Sequence, residues 1–174
     1  MENLPLSEDF IKHYDAYADV LFRHCFLRIY DREQAKDLVQ EIFLRAWRYT
    51  QKGNQVENMR ALLYRIANNL IIDEARKRKS SGGTPSSMED LVEAGHEPFR
   101  DIRAQLTAKI EVGLLQKTLA QLADDDRRII LLRYMDDLEP REIAEILNES
   151  PNVTSVRLHR AIKKLQALLP SYEQ

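Results

Sequence analysis

Apolar side chains recur every three or four positions along most of the chain, which is the spacing of an amphipathic helix. This spacing predicts helices over residues 8–29, 32–49, 59–79, 102–122, 140–147 and 151–169. A further helix is expected after a cap at Asp124 or Asp125, with Ile129, Ile130, Leu132 and Tyr134 packed inward. No segment shows the two-residue alternation that is typical of a strand. We therefore expect an all-α protein.

The stretch from Pro140 to Leu169 has the pattern of a helix-turn-helix. Pro140 suits the first turn of a helix, where its missing N–H is not needed. Asn148 tolerates the left-handed backbone found at a helix C-terminus. Ser150 can then cap a new helix that has Pro151 in its first turn. Two helices joined by so short a break must cross steeply, as in a helix-turn-helix.

The second helix of this motif has an apolar face and a polar face. Leu158, Ile162, Leu165 and Leu169 recur at helical spacing and are expected in the core. The opposite face is expected to carry Asn152, Ser155, Val156, His159, Arg160 and Lys163, flanked by Arg157 and Lys164. No Asp or Glu occurs between Pro151 and Pro170. This acid-free polar face, next to a helix break, favours contact with the major groove of DNA over a merely solvated surface.

The predicted helix over residues 32–49, which Asp31 can cap, has a mixed outer face. Its apolar stripe consists of Ala35, Leu38, Val39, Ile42 and Ala46. The other side carries Asp37, Gln40, Glu41, Leu44, Arg45 and Arg48. Phe43 and Trp47 lie at the margin of the stripe. Apolar surface among charges is typical of a face that binds a partner, and periodicity equally allows that Phe43 and Trp47 widen the core.

The predicted helix over residues 59–79 follows a polar loop at 50–58. Its inner side consists of Leu62, Leu63, Ile66, Leu70 and Ile71. Its more polar side carries Arg60, Tyr64, Arg65, Asn68 and Asn69, followed by the basic run at 76–79. Such a surface can track a single-stranded backbone and stack on exposed bases. The basic run by itself is as well explained by the helix dipole.

Residues 80–99 interrupt the helical pattern, and we place a domain boundary there. Ser, Gly, Thr and Pro come first, followed by a short acidic amphipathic piece and Pro98. This composition predicts a flexible linker with one or two helical turns. After it, Asp124 or Asp125 can cap the next helix.

Charge and composition narrow the function classes. The net charge is −2, but residues 151–174 hold four basic groups and one acid. Because local charge sets phosphate affinity, the chain is expected to hold DNA modestly, with help from another partner. No apolar run reaches the roughly 18 residues of a membrane span, and from the N-terminal residues we expect no secretory signal. The single cysteine, Cys25, fits a reducing cytoplasm.

No pattern typical of an enzyme is present. The chain has no phosphate-cradling glycine loop, no nucleophile paired with a base and no metal-binding spacing among its four histidines. We therefore expect neither catalytic activity nor a cofactor or metal. The alternative to a partner-assisted DNA-binding protein is an autonomous helix-turn-helix regulator. Such regulators usually dimerise on palindromes, and no dimerising helix is evident.

Four segments together resemble a known family. They are LVQEIFLRAW at 38–47, NMRALLYRIANNLIIDEARKRK at 58–79, LADDDRRIILLRYMDDLEPREIAEIL at 122–147 and VRLHRAIKKLQALL at 156–169. In order, spacing and total length they are similar to bacterial RNA polymerase sigma factors of the extracytoplasmic-function (ECF) group. The resemblance implies a region-2 domain at residues 1–79, a linker at 80–105 and a region-4 domain at 106–174. It also implies core RNA polymerase and promoter DNA as partners, and such factors commonly have an anti-sigma factor.

The resemblance assigns roles to individual residues. Core polymerase would bind Asp37, Gln40, Glu41, Leu44, Arg45 and Trp47. The melted minus-ten element would bind Asn54, Asn58, Arg60, Tyr64, Arg65, Asn68 and Asn69. The duplex minus-thirty-five element would bind Ser155, Val156, His159 and Arg160 through its bases, and Arg141, Arg157, Lys163 and Lys164 through its phosphates.

The sequence departs from the family pattern at four positions. Leu62 stands where many members have Trp, and Met59 stands where they have another aromatic residue, which weakens the case for melting by an aromatic wedge. Asn148 replaces the usual turn glycine, a change that the backbone accepts. Glu139 occupies a position where a Ser or Thr cap is common.

Overall fold

The computed structural model describes residues 8–29, 31–81 and 112–169. Within these ranges it contains helices and no strand, as the all-α prediction requires. The helices are α1 Glu8–Ile29, α2 Arg32–Gln51, α3 Met59–Ser81, α4 Val112–Gln121, α5 Asp124–Tyr134, α6 Pro140–Leu147 and α7 Pro151–Leu168. They form two compact units, with α1 to α3 in the first and α4 to α7 in the second.

The helices lie close to where periodicity predicts them. Helix α3 continues to Ser81, slightly past the predicted start of the linker at residue 80. The remainder of the predicted linker, with its expected helical turns, lies outside the described residues. None of the helices within the described ranges is long and apolar enough to cross a membrane.

In the first unit, α1, α2 and α3 pack against one another. Their core contains the fully buried side chains of Leu21, Phe26, Ile42, Leu63 and Tyr64. Phe43 is also buried, and its ring lies 6.2 Å from Phe10 and 4.6 Å from Tyr14, measured between centroids. The interpretation of Phe43 as part of the core is therefore correct, whereas Trp47 is only partly buried.

Side-chain caps define the ends of the helices in this unit. The Asp31 carboxylate accepts a hydrogen bond of 3.0 Å from the Gln34 N–H, which confirms the predicted cap of α2. The Asn58 amide oxygen accepts one of 3.0 Å from the Ala61 N–H at the start of α3. Between these helices, Gly53 has a φ of 79°, a backbone conformation that glycine adopts without strain.

In the second unit, α7 packs against α4, α5 and α6. The buried core includes Leu115, Ile129, Ile130, Leu132, Leu138, Ile143 and Leu165. The predicted cap of α5 is wrong, because Ala123 occupies the cap position. Asp124 and Asp125 instead lie in the first turn, where they accept hydrogen bonds of 2.5 Å from Arg127 and Arg128. Their negative charge there still stabilises the positive end of the helix dipole.

Candidate nucleic-acid interface

The turn between α6 and α7 has the local chemistry that the sequence predicts. Asn148 adopts the left-handed conformation with a φ of 55°, and it ends α6. The Glu149 N–H then donates a 2.8 Å hydrogen bond to the Ala144 carbonyl oxygen. The Ser150 hydroxyl accepts a 3.3 Å bond from the Val153 N–H, so Ser150 caps α7 as expected. Only three residues separate the two helices.

The start of α6 is stabilised without a Ser or Thr cap. The Glu139 N–H donates a 2.9 Å hydrogen bond to the Glu142 carboxylate, which reaches back from the first turn. Pro140 occupies the first turn, where it removes a donor that has no helical partner. Arg133 of α5 donates a 3.2 Å hydrogen bond to the Leu138 carbonyl oxygen, which ties α5 to the loop before α6.

Helix α7 buries one face and exposes the other. Its buried side chains are Thr154, Ala161, Ile162 and Leu165, while Leu158 and Leu169, the residue that ends the helix, are partly buried. The exposed side chains include Asn152, Val153, Ser155, Val156, His159, Arg160, Lys163 and Lys164. All six residues predicted on the outer face are therefore exposed. Val153 and Thr154 have no predicted face, although their spacing identifies one. Val153 lies three residues before the exposed Val156, and Thr154 lies seven and eight residues before the buried Ala161 and Ile162.

Two of the predicted phosphate-binding side chains form ion pairs within the second unit. Arg157 is partly buried and pairs with Glu149, the residue before the cap of α7. Lys164 pairs with Asp126 of α5, with the Lys164 Nζ 2.5 Å from the Asp126 Oδ2. Arg160 and Lys163 make no ion pair with another described residue. The positive charge that is available on α7 is therefore concentrated on Arg160 and Lys163, with Arg141 exposed on α6.

In the first unit, the predicted outer face of α2 is confirmed as exposed surface. Asp37, Gln40, Leu44 and Arg45 are exposed, and Glu41 and Trp47 are partly so. The Arg45 Nε lies 2.6 Å from the Glu41 Oε1, one helical turn away. Leu44 is 39 % exposed, an apolar side chain among charges. A groove of 620 Å³ beside this face is lined by residues of α2 and α3, among them Asp37 and Lys77.

The predicted placement of Tyr64 and Asn68 on the outer face of α3 is wrong. Tyr64 is 1 % exposed and Asn68 is 4 % exposed. The Tyr64 ring packs edge-on against His24 of α1, with 5.1 Å between the ring centroids. Helix α3 contacts both α1 and α2, so its buried stripe is wider than one neighbouring helix requires. Tyr64, Ala67, Asn68 and Ile71 follow the helical spacing of that wider stripe and could have been identified by it.

The other predicted minus-ten residues are distributed around the α2–α3 loop and the free side of α3. The Asn54 side chain is exposed and donates a 2.9 Å hydrogen bond to the Tyr49 carbonyl oxygen. Asn58 caps α3 and is partly buried, as is Arg60. Arg65 and Asn69, one turn apart, are exposed together. The predicted minus-ten residues therefore include both exposed and buried side chains, a difference that the sequence did not show.

The described residues offer no metal-binding group of three or more His, Cys, Asp or Glu side chains. Cys25 is buried in the first unit. Burial raises the pKa of the Tyr134 phenol above its usual value of 10.0, an effect that the neighbouring Arg133 partly offsets. This phenol belongs to α5 and not to the exposed face of α7.

Each of the two units matches the model of a known protein family. Residues 13–81 match the family model described as Sigma-70 region 2. Residues 113–165 match the model described as Sigma-70, region 4. The two matches include all the described helices apart from short terminal stretches, and they occur in the order that the sequence predicts.

Similar proteins are found among curated relatives and solved structures. The chain is 32 % identical over 160 residues to the ECF RNA polymerase sigma factor SigL of Mycobacterium tuberculosis, covering 90 % of this chain and 86 % of that protein. It is 31 % identical over 166 residues to the ECF RNA polymerase sigma factor SigW of Bacillus subtilis, covering 89 % and 86 %.

Among solved structures, the fold is similar to that of the sigma factor RpoE from Bartonella quintana, solved in complex with the anti-sigma factor NepR. The TM-score is 0.69 at 22 % identity, with 95 % of this chain and 99 % of that chain covered. It is also similar to CnrH, solved with the cytosolic domain of CnrY, with a TM-score of 0.68 at 23 % identity and coverage of 97 % and 92 %.

Proposed function

The chain belongs to the sigma-70 family as an ECF sigma factor, which associates with RNA polymerase and directs promoter-specific transcription, and from that membership we propose how its surfaces divide the work. Helix α7 reads the duplex minus-thirty-five element. The exposed face of α2 binds core polymerase. The free side of α3 and the preceding loop hold the melted minus-ten strand. The protein has no catalytic activity of its own and acts in the cytoplasm.

The observation that carries the proposal is the exposed, acid-free face of α7. Asn152, Ser155, Val156, His159 and Arg160 lie on one side of a capped helix that follows a three-residue turn. A helix presented in this way enters the major groove with its N-terminal residues nearest the base edges. Lys163 lies further along the same side, where the helix leaves the groove and passes the phosphates. Since few cations of α7 are free of acidic partners, DNA affinity must come partly from polymerase.

The face of α2 has the mixed chemistry of a protein interface. Leu44 provides an exposed apolar centre, and Gln40, Asp37 and Arg45 surround it with polar groups. A small apolar centre with a polar rim resembles protein-binding surfaces in general. This arrangement supports the assignment of α2 to core polymerase.

The minus-ten role rests on a smaller set of residues than the sequence predicted. Arg65 and Asn69 form the exposed pair on α3, and Asn54 lies in the loop that precedes it. Arginine and asparagine can contact the phosphates and base edges of a single strand. Tyr64 and Asn68 support this surface from within the core. We propose region-2 and region-4 domains at residues 1–79 and 106–174, and an anti-sigma factor as a further partner.

In-vitro transcription tests this proposal. Purified full chain is added to bacterial core RNA polymerase on a library of promoters with randomised minus-thirty-five and minus-ten elements. We expect transcripts from a restricted set of promoters only when both protein components are present. Sequence-specific duplex binding by the chain alone, with no effect of polymerase on initiation, would show an autonomous regulator instead.

A further inference from the structure

Two valines occupy the exposed face of α7 near its N-terminus. Val153 is 47 % exposed and Val156 is 43 % exposed. They are three residues apart and therefore adjacent on the helix surface. Val156 lies at the centre of the exposed face, because Asn152, Val153, His159 and Arg160, its neighbours at three and four positions on either side, are all exposed. The two valines thus form one apolar patch inside a polar surface.

Local folding does not explain these valines. β-Branched residues lose side-chain freedom in a helix and are poorer helix formers than alanine or the long polar residues. At two positions with nearly half of the residue surface exposed, the burial that would offset this cost is incomplete. A contact outside the chain would bury the remaining apolar surface of both valines.

The surroundings of the patch indicate what makes that contact. The residues from Pro151 to Val156 carry no charge, and the exposed cations Arg160 and Lys163 follow within two turns on the same side. No acid occurs anywhere in α7. An uncharged helix start suits a major groove, with its apolar side chains against base edges and the more distant Lys163 towards the phosphates. In that groove the one apolar group on a base edge is the C5-methyl group of thymine.

We propose that Val153 and Val156 read thymine methyl groups in the minus-thirty-five element. This inference rests on the proposed function, since it requires α7 to lie in the major groove. The two valines select A·T pairs of one orientation at adjacent positions, while Arg160 and His159 read neighbouring bases through hydrogen bonds. Val153 thereby becomes a specificity-determining residue of α7.

Replacement of thymine by deoxyuridine tests the proposal, because it removes the methyl group and leaves base pairing intact. Holoenzyme made from the full chain and core polymerase first selects a duplex from a randomised minus-thirty-five library. Each thymine of the selected element is then replaced in turn. We expect a roughly fourfold loss of affinity at one or two positions, the factor that burial of a single methyl group provides. In Val156→Ala, this loss should disappear at one of these positions.

Leu168→Ala is the matched control. Leu168 is an exposed apolar residue of the same helix at 42 %, but it lies twelve residues, or about 18 Å, beyond Val156. Its replacement should leave the deoxyuridine effect unchanged. A selected element that tolerates deoxyuridine everywhere would overturn the methyl inference and leave the proposed function intact. The inference also fails if Val156→Ala weakens thymine and deoxyuridine duplexes equally. A library from which no minus-thirty-five sequence is selected would instead refute the proposed function.

Discussion

Lys163 and Lys164 are neighbours in sequence, yet their removal should affect DNA binding differently. Lys163 is exposed and makes no ion pair with another described residue, whereas the Lys164 Nζ lies 2.5 Å from the Asp126 Oδ2. A cation that replaces one counterion on duplex DNA contributes about 0.9 to the slope of log affinity against log salt. Lys163→Ala should therefore lower that slope by about one. Over a fourfold change in salt concentration, the loss of DNA affinity caused by Lys163→Ala is therefore about 3.5-fold larger at the lower concentration.

The charge of Lys164 is already compensated by Asp126, so Lys164→Ala should lower the slope by less than half as much. It should also cost some stability, because it breaks a contact between α5 and α7. The lysine side chain is 58 % exposed and the aspartate 17 %. Solvent screens such a pair, and we expect about 0.2–1 kcal/mol of unfolding free energy. Asp126→Asn should have the opposite effect on DNA, since it releases Lys164 and raises the slope.

The assay is a titration of the minus-thirty-five duplex with holoenzyme at four or more salt concentrations, for wild type and the three variants. Urea unfolding of each full chain provides the control for stability. Equal reductions of the slope in Lys163→Ala and Lys164→Ala would refute the reasoning. They would show that DNA displaces Asp126 from Lys164 without a cost in free energy. The ion pair would then not reduce the contribution of Lys164 to DNA binding.

Four further outcomes are expected. Gln40→Ala combined with Leu44→Ala should weaken core-polymerase binding with helicity and thermal stability nearly intact, measured by polymerase pull-down and circular dichroism; an unfolded double mutant would contradict the surface assignment. Arg160→Ala should change the minus-thirty-five sequence selected from a random library, at a cost of about 1–3 kcal/mol for the preferred site; an unchanged sequence with a flatter salt dependence would make Arg160 a phosphate contact. Tyr64→Ala should destabilise the first unit by about 3–5 kcal/mol in urea unfolding, as expected for a buried aromatic side chain. Normal stability combined with defective promoter opening would instead show that Tyr64 contacts DNA. Glu149→Gln should free Arg157 and strengthen duplex binding for all sequences at low salt; weaker binding with a lower melting temperature would show that the pair holds the turn.

Local features of the helix-turn-helix could be predicted from the sequence. Ser150 caps α7, Pro140 and Pro151 occupy first turns, and Asn148 adopts the left-handed conformation. Each of these depends on the chemistry of a residue and its immediate neighbours, so no tertiary information is needed. The exposed face of α7 could be predicted for the same reason, because the spacing of its apolar residues determines which side of the helix is buried.

The number of neighbours that a helix contacts could not be predicted in the same way. Tyr64 and Asn68 have polar groups and were assigned to the surface, but α3 contacts two helices and buries both. Phe43 was ambiguous for a similar reason, and it is buried because Phe10 and Tyr14 of α1 cover it. Periodicity gives the direction of a buried stripe, whereas its width depends on how many partners pack against it.

The charge partners on the DNA-binding face were also decided by tertiary structure. Lys164 and Asp126 are 38 positions apart, and the ion pair forms only because α5 and α7 pack together. Arg157 and Glu149 form an ion pair across the start of α7, and Glu149 lies in the turn before that helix. The sequence alone determined where the basic residues lie on α7. Which of them remain available to DNA depends on the acids that folding brings near, because a charge interacts over distances of a few ångströms in space and not along the chain.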